Sequence, residues 1–143
     1  MTSARISIFL PDTYLFSTEL PVRITDLNYG NHLGNDSVAS FLHEARVRWL
    51  AEHGWSELDA GGAGLIMVDL SIRFKAQARY GHTIRIELAV QEWSTCGFTL
   101  VYRLSNSATG KEIARATTGM MSYDFEAQRL AEVPEGFRDT IAR

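Results

Sequence analysis

The stretch Thr25-Asp26-Leu27-Asn28-Tyr29-Gly30-Asn31-His32-Leu33-Gly34-Asn35-Asp36 gathers amides, carboxylates, one imidazole and two glycines. An imidazole, with an ordinary pKa of about 6.5, can take a proton from water at neutral pH. A carboxylate can do the same or orient the ring, and an amide can position a water or a carbonyl oxygen. Where a helix begins immediately downstream, its unpaired N–H groups and positive dipole end add donors for a carbonyl oxygen or an anion. These are components of acyl-transfer chemistry. Asn, Asp and Gly are also common turn residues, so turn formation accounts for the same composition. His32 has no cluster of further ligands around it, and no metal is expected.

The elements flanking this stretch must hold it. Downstream, Val38, Phe41, Leu42, Ala45, Trp49 and Leu50 recur on one helical face, which predicts a helix over Asp36–His53. Asn35 or Asp36 would cap its start, and Gly54 would take the left-handed position past its end. Upstream, the alternation of Leu20, Val22 and Ile24 predicts a strand over Leu20–Asp26, with Pro21 tolerated near its beginning or at an edge.

After Gly61-Gly62-Ala63-Gly64 the period changes from 3.6 to 2. Val68, Leu70, Ile72 and Phe74 alternate with Asp69, Ser71, Arg73 and Lys75, and Ile84, Ile86, Leu88 and Val90 alternate with Arg85, Glu87, Ala89 and Gln91. Phe98, Leu100, Tyr102 and Leu104 repeat the pattern, and a last segment runs from about Glu112 to Tyr123. Each strand is expected to bury one face, and the short connections imply antiparallel pairing. Pro134 suits the first turn of a short helix reaching Ala142. One apolar-striped helix beside an antiparallel meander gives an α+β fold, a sheet wrapped around the helix.

The chain has 143 residues, 45% of them hydrophobic, and a formal net charge of −3. That length predicts a single domain, 1–143, with a sizeable core. No apolar run is long enough for a membrane span or signal peptide. The lone Cys96 cannot close an intrachain disulfide. A soluble, unexported protein in a reducing cytoplasm is expected, with no membrane partner. The basic residues are dispersed, so no nucleic-acid partner is expected either.

The order of strand, D-x-N-x-G-N-H-x-x-N-D loop, long helix carrying His43-Glu44-Ala45-Arg46, and four strands resembles the hot-dog fold acyl-CoA thioesterases of the 4-hydroxybenzoyl-CoA thioesterase family. The resemblance covers roughly Leu20 to Phe125, including a segment from Asp69 to His82 similar to the family's second strand and its following turn. It implies hydrolysis of an acyl-CoA to a free acid and coenzyme A. Coenzyme A enters only as part of the substrate, so no separate cofactor is expected. It also implies a homodimer, or a dimer of dimers, joined at sheet edges with sites at the interface.

Members of that family usually carry D-x-D, whose second carboxylate is the nucleophile or general base. Here that position is Asn28, while Asp26 matches the first, commonly structural, carboxylate. The loop also resembles the plant acyl-carrier-protein thioesterase pattern D-x-N-x-H-x-N-N, from which only His32 is retained. The catalytic candidates are therefore Asn28, His32, Asp36 and Asp26. Either His32 is the base, with Asp26 or Asp36 orienting it, or Asp36 is the base and Asn28 positions the water or carbonyl. Asn35, Asn31 and Tyr29 are substrate-binding candidates in the loop, and Arg73, Lys75 and Arg79 are candidates for the phosphates of coenzyme A, although outward-facing strand cations equally suit a solvated face.

Ser37 and Ser40 lack a nucleophile motif. Glu44 resembles a helix glutamate that one thioesterase branch uses, but it also sits four residues before Arg48, the spacing of an ion pair. Phe41, Leu42, Trp49, Trp55 and Met67 are candidates for an apolar acyl pocket, though helical spacing makes the first three ordinary core. Two alternatives remain: a hot-dog enoyl-CoA hydratase, whose D-x-N-P-x-H signature fails at Tyr29 and at the register of His32, and a non-catalytic acyl-CoA binding module.

Overall fold

The first strand ends at Pro21. In the computed structural model, which describes residues 5–142, strand β1 covers Phe16–Pro21 and gives way to a 3-10 turn at Ile24–Asp26. This corrects the strand expected over Leu20–Asp26. The apolar alternation runs on into the turn, where Ile24 ends up 68% exposed. Pro21 sits on an edge strand and costs no bond to β3, since the Val22 N–H after it still donates to the His82 carbonyl at 2.9 Å.

Helix α1 covers Asn35–Glu52, and the six stripe residues Val38, Phe41, Leu42, Ala45, Trp49 and Leu50 are all buried. It lies one residue earlier at each end than Asp36–His53. Gly34 is the N-cap, with extended backbone, and no side chain caps the helix, so neither Asn35 nor Asp36 takes the role expected of it. At the far end Gly54 adopts φ 76°. There the Trp55 N–H donates to the Leu50 carbonyl at 2.9 Å and the Gly54 N–H to Ala51 at 3.0 Å, a Schellman closure that satisfies orphan carbonyls.

The remaining elements are β2 (Gly64–Phe74), β3 (Thr83–Gln91), β4 (Gly97–Asn106), β5 (Glu112–Asp124), the short β6 (Arg129–Leu130) and α2 (Glu135–Ile141), for which Pro134 is the N-cap. The sheet runs β1-β3-β4-β5-β2, antiparallel throughout, with β6 pairing β5. Ile84, Ile86, Leu88, Leu100, Tyr102 and Leu104 share one core with the α1 stripe. The result is the α+β hot-dog arrangement, an antiparallel sheet wrapped around one long helix. Among the described residues no helix is long and apolar enough to cross a membrane.

In β2 the alternation holds but the burial does not. Val68 is 53%, Leu70 38% and Phe74 45% exposed, correcting the buried face expected there. β2 is an edge of the sheet, whereas α1 packs against β1 and β3 towards the other edge. Burial depends on what lies over a strand, and periodicity carries no record of that. A long edge with apolar side chains is a hazard unless a further strand or element covers it.

On the outer face of the sheet lies the segment preceding β1. Ile8 is buried there against Ala89 and Val101, flanked by Leu10 and Tyr14.

Candidate active site

The loop between the 3-10 turn and α1 is a small hairpin. Leu27 and Leu33 form a bridge, the Asn28 N–H donates to the His32 carbonyl at 2.8 Å, and the Asn31 N–H donates to the Asn28 carbonyl at 3.1 Å. Asn31 takes φ 62°, a conformation asparagine accepts more readily than most residues. The Asn28 side-chain oxygen accepts the Gly30 N–H at 2.9 Å and the His32 N–H at 3.2 Å. That oxygen is committed to the loop, while the amide NH2 has no protein partner among the described residues. Tyr29 is fully exposed at the tip.

Asp26 is buried and serves the turn. Its Oδ2 accepts the Arg23 N–H at 2.8 Å, and the Arg23 guanidinium reaches Oδ1 at 3.2 Å. The Asp26 carbonyl accepts the Gly34 N–H at 2.9 Å, which fixes where α1 begins. Asp26 thus positions the helix start, and no contact joins its carboxylate to His32.

Gly34 is the hinge of the arrangement. A Cβ placed there would lie 2.8 Å from Asp36 Oδ1 and 3.9 Å from Asn28 Cβ, so Asp36 and Asn28 flank it closely. At Gly30 the equivalent position is 3.3 Å from His32 Nδ1 and 3.5 Å from Asn28 Oδ1. Asn28 therefore borders both glycines, near His32 at one and near Asp36 at the other. With Gly34 as N-cap, the N–H groups of Asn35, Asp36 and Ser37 have no acceptor within the helix. Asn35 and Asp36 are exposed, while the N-cap Gly34 is buried. Among the described residues no hydrogen bond engages the Asp36 carboxylate. Ser40 hydrogen-bonds the Asp36 carbonyl at 3.4 Å and has no nucleophile's environment.

The three basic candidates separate. The Leu33 N–H donates to the Ala78 carbonyl at 2.8 Å, which brings the turn after β2, and with it Arg79, against the loop. Arg73 instead donates from Nη1 to the Ile6 carbonyl at 2.9 Å, and Lys75 pairs with Glu112 at 3.4 Å, both on the outer face. Glu44 and Arg48 form the expected ion pair at 2.9 Å. They border a cavity of about 330 Å³ with Leu20, Pro21, Arg23 and Phe41. The proposed acyl-pocket residues do not form one wall: Phe41, Leu42 and Trp49 are core, Met67 lies on the exposed edge strand, and Trp55 stacks between His53 and Phe137.

A buried polar chain escaped the sequence analysis. Arg46, buried on the inner side of α1, donates to the Tyr102 hydroxyl at 3.3 Å. A guanidinium only donates, so the Tyr102 proton is free for Thr118 Oγ1 at 2.8 Å. Burial pushes the Tyr102 phenol up from its ordinary range, which keeps it protonated. Arg46 Nε lies 3.7 Å from Glu57, whose other oxygen meets His43 Nε2 at 2.5 Å. The signal was present: Val38, Leu42, Arg46 and Leu50 are spaced i, i+4 on one stripe.

A family profile described as the thioesterase-like superfamily matches residues 22–141. A 1,4-dihydroxy-2-naphthoyl-CoA hydrolase from Synechocystis is 24% identical over 129 residues, covering 88% of this chain and 94% of that protein. The crystal structure of a 1,4-dihydroxy-2-naphthoyl-CoA thioesterase from Synechocystis superposes with a TM-score of 0.80 at 24% identity, over 89% of this chain and 95% of the other. A Staphylococcus aureus protein solved in complex with CoA superposes with a TM-score of 0.80 at 17% identity, over 95% and 86%.

Proposed function

We propose that this chain, which belongs to the thioesterase-like superfamily, hydrolyses an acyl-CoA to a free carboxylic acid and coenzyme A. The observation that carries the reading is the N-terminus of α1, which no side chain caps, with a carboxylate and an amide side chain beside it. The thioester carbonyl oxygen lies against the N–H groups of Asn35 and Asp36. The Asp36 carboxylate takes a proton from a water held by the Asn28 amide, and the water oxygen bonds to the carbonyl carbon. The resulting oxyanion is held by the same N–H donors. As it collapses, the C–S bond breaks and the sulfur leaves as thiolate, which takes up the proton. Asp36 is preferred to His32 as base because it lies in the first turn of α1 beside the N–H donors, with its carboxylate exposed and without a hydrogen bond among the described residues. Arg79, beside the loop, is offered to the phosphates of coenzyme A.

The test is a panel of acyl-CoAs with a thiol-trapping dye, run on wild type, His32→Ala, Asp36→Asn and Asn28→Asp. Asp36→Asn is expected to lower kcat by roughly 10²–10⁴-fold, the range for a general base. A loss of that size in His32→Ala, with Asp36→Asn close to wild type, would move the role to His32. Saturable binding of acyl-CoA without thiol release would replace hydrolysis by the non-catalytic module, and water addition to crotonyl-CoA would support the hydratase.

The exposed β2 edge supports a homodimer in which two such edges pair, covering Val68, Leu70 and Phe74. Sedimentation equilibrium should give twice the chain mass, and Leu70→Lys/Phe74→Lys should reduce it to one. A monomeric wild type, or a dimer indifferent to those lysines, refutes the pairing.

A further inference from the structure

We propose that the outer face of the sheet carries a binding site for a phosphate-type anion, formed by Arg73, Lys75 and Arg115 beneath the segment that precedes β1. Pairing in the sheet places Arg73 directly opposite Arg115, and Arg115 directly opposite Arg103, so three guanidiniums stand side by side across β2, β5 and β4. Like charges in direct cross-strand register repel. Two carboxylates offset them. Glu112 lies 2.7 Å from Arg115, 3.4 Å from Lys75 and 3.8 Å from Arg103, and Glu87 lies 3.3 Å from Arg103. Burial disfavours the charge on Glu112, yet Arg115 and Lys75 hold its carboxyl below the ordinary range.

Four cations thus share two anions, and the imbalance falls on Arg73. Among the described residues Arg73 has no carboxylate within ion-pair distance, and its Nη1 donates only to the Ile6 carbonyl. Arg115 likewise donates from Nη1 to the Ile8 carbonyl at 3.0 Å. A carbonyl satisfies a donor without neutralising its charge. A cavity of about 190 Å³ lined by Ser7, Arg73, Lys75 and Arg115, and another of about 440 Å³ lined by Arg5, Arg73, Phe74 and Lys75, open beside Arg73, with no acidic residue lining either. Guanidinium forks match phosphate oxygens bidentately, and an ammonium and a hydroxyl complete such a site. A bound anion would relieve the repulsion that the register imposes.

Two sources supply this chemistry: the phosphates at the nucleotide end of coenzyme A, or a free phosphate. The first rests on the acyl-CoA reading. It is geometrically open because Lys75 precedes Ala78, which touches the active-site loop, by three residues, at most about 10 Å of chain.

Calorimetric titration of the full chain with inorganic phosphate, adenosine 3′,5′-bisphosphate and coenzyme A tests the proposal. Saturable binding is expected to weaken about tenfold or more in Arg73→Gln and in Lys75→Gln, to fall with salt, and to stay unchanged in Arg129→Gln on the remote β6. Lys75→Gln leaves the Arg73 contact to Ile6 in place, so a loss there is not a loss of that segment's anchor. Tighter binding of the bisphosphate and coenzyme A than of phosphate identifies the nucleotide end as the source, and equal binding identifies the free anion. No saturable binding of any of the three, or affinities unaltered in both variants, overturns the site. Binding is read without turnover, so the absence of thioester hydrolysis would leave it standing, and its own failure would leave hydrolysis standing.

Discussion

Proline in place of Asn35 is expected to slow thioester hydrolysis by roughly 10²–10³-fold, the cost of removing one oxyanion donor, while the fold survives. Asn35 is the first residue inside α1, where the backbone N–H has no helical acceptor to lose. Proline is favoured at that position because its φ is already helical. The residue before it must be extended, and Gly34 has φ −72° and ψ 156°. The substitution therefore deletes one N–H group and little else from the backbone.

Asn35→Ala is the partner measurement, since it removes the side chain and keeps the N–H. Whatever Asn35→Ala costs, Asn35→Pro should cost about 10²-fold more in kcat, with a melting temperature within a few degrees of wild type. Equal kcat values in the two variants would show that this amide does not polarise the carbonyl. The comparison isolates a main-chain group, which substitution of His32 or Asp36 cannot do.

How much of this could be read from the chain depends on the range of the interactions involved. α1 was legible because its six apolar residues and Gly54 act within the helix itself, through a spacing and a turn that need no partner. The loop was legible as a concentration of polar groups, but not how its members divide their work. That Asp26 serves Arg23 and the Gly34 N–H, and that Asn28 spends its oxygen on two loop N–H groups, are matters of hydrogen-bond direction that residue type leaves open. β1 was misplaced because Leu20, Val22 and Ile24 alternate equally well in a strand and across the 3-10 turn that follows it. β2 was recognised, yet its exposure depends on sheet order, and so does the arginine row: Arg73, Arg103 and Arg115 are scattered in sequence and meet only once β4, β5 and β2 are paired.

Arg46 supplies the largest expected effect on stability. Its guanidinium is buried between α1 and the sheet, bonded to Tyr102 and paired with Glu57, while its Nε has no hydrogen bond. Removing one partner of a buried pair strands the other charge, at a typical cost of about 3–5 kcal/mol. Glu57 is partly open to solvent, so Glu57→Ala is expected near the lower end, about 3 kcal/mol, or roughly 10 °C in melting temperature for a domain of this size. Replacing the whole pair removes the charge along with its partner. A methionine in place of Arg46 would fill the space of the arginine stem, and the Tyr102 hydroxyl would keep Thr118. The double variant Arg46→Met/Glu57→Ala should therefore be more stable than Glu57→Ala alone, within about 1.5 kcal/mol of wild type by urea unfolding. A double variant no better than the single one would mean that Arg46 is held by packing of its stem and by Tyr102, and that Glu57 does not neutralise it.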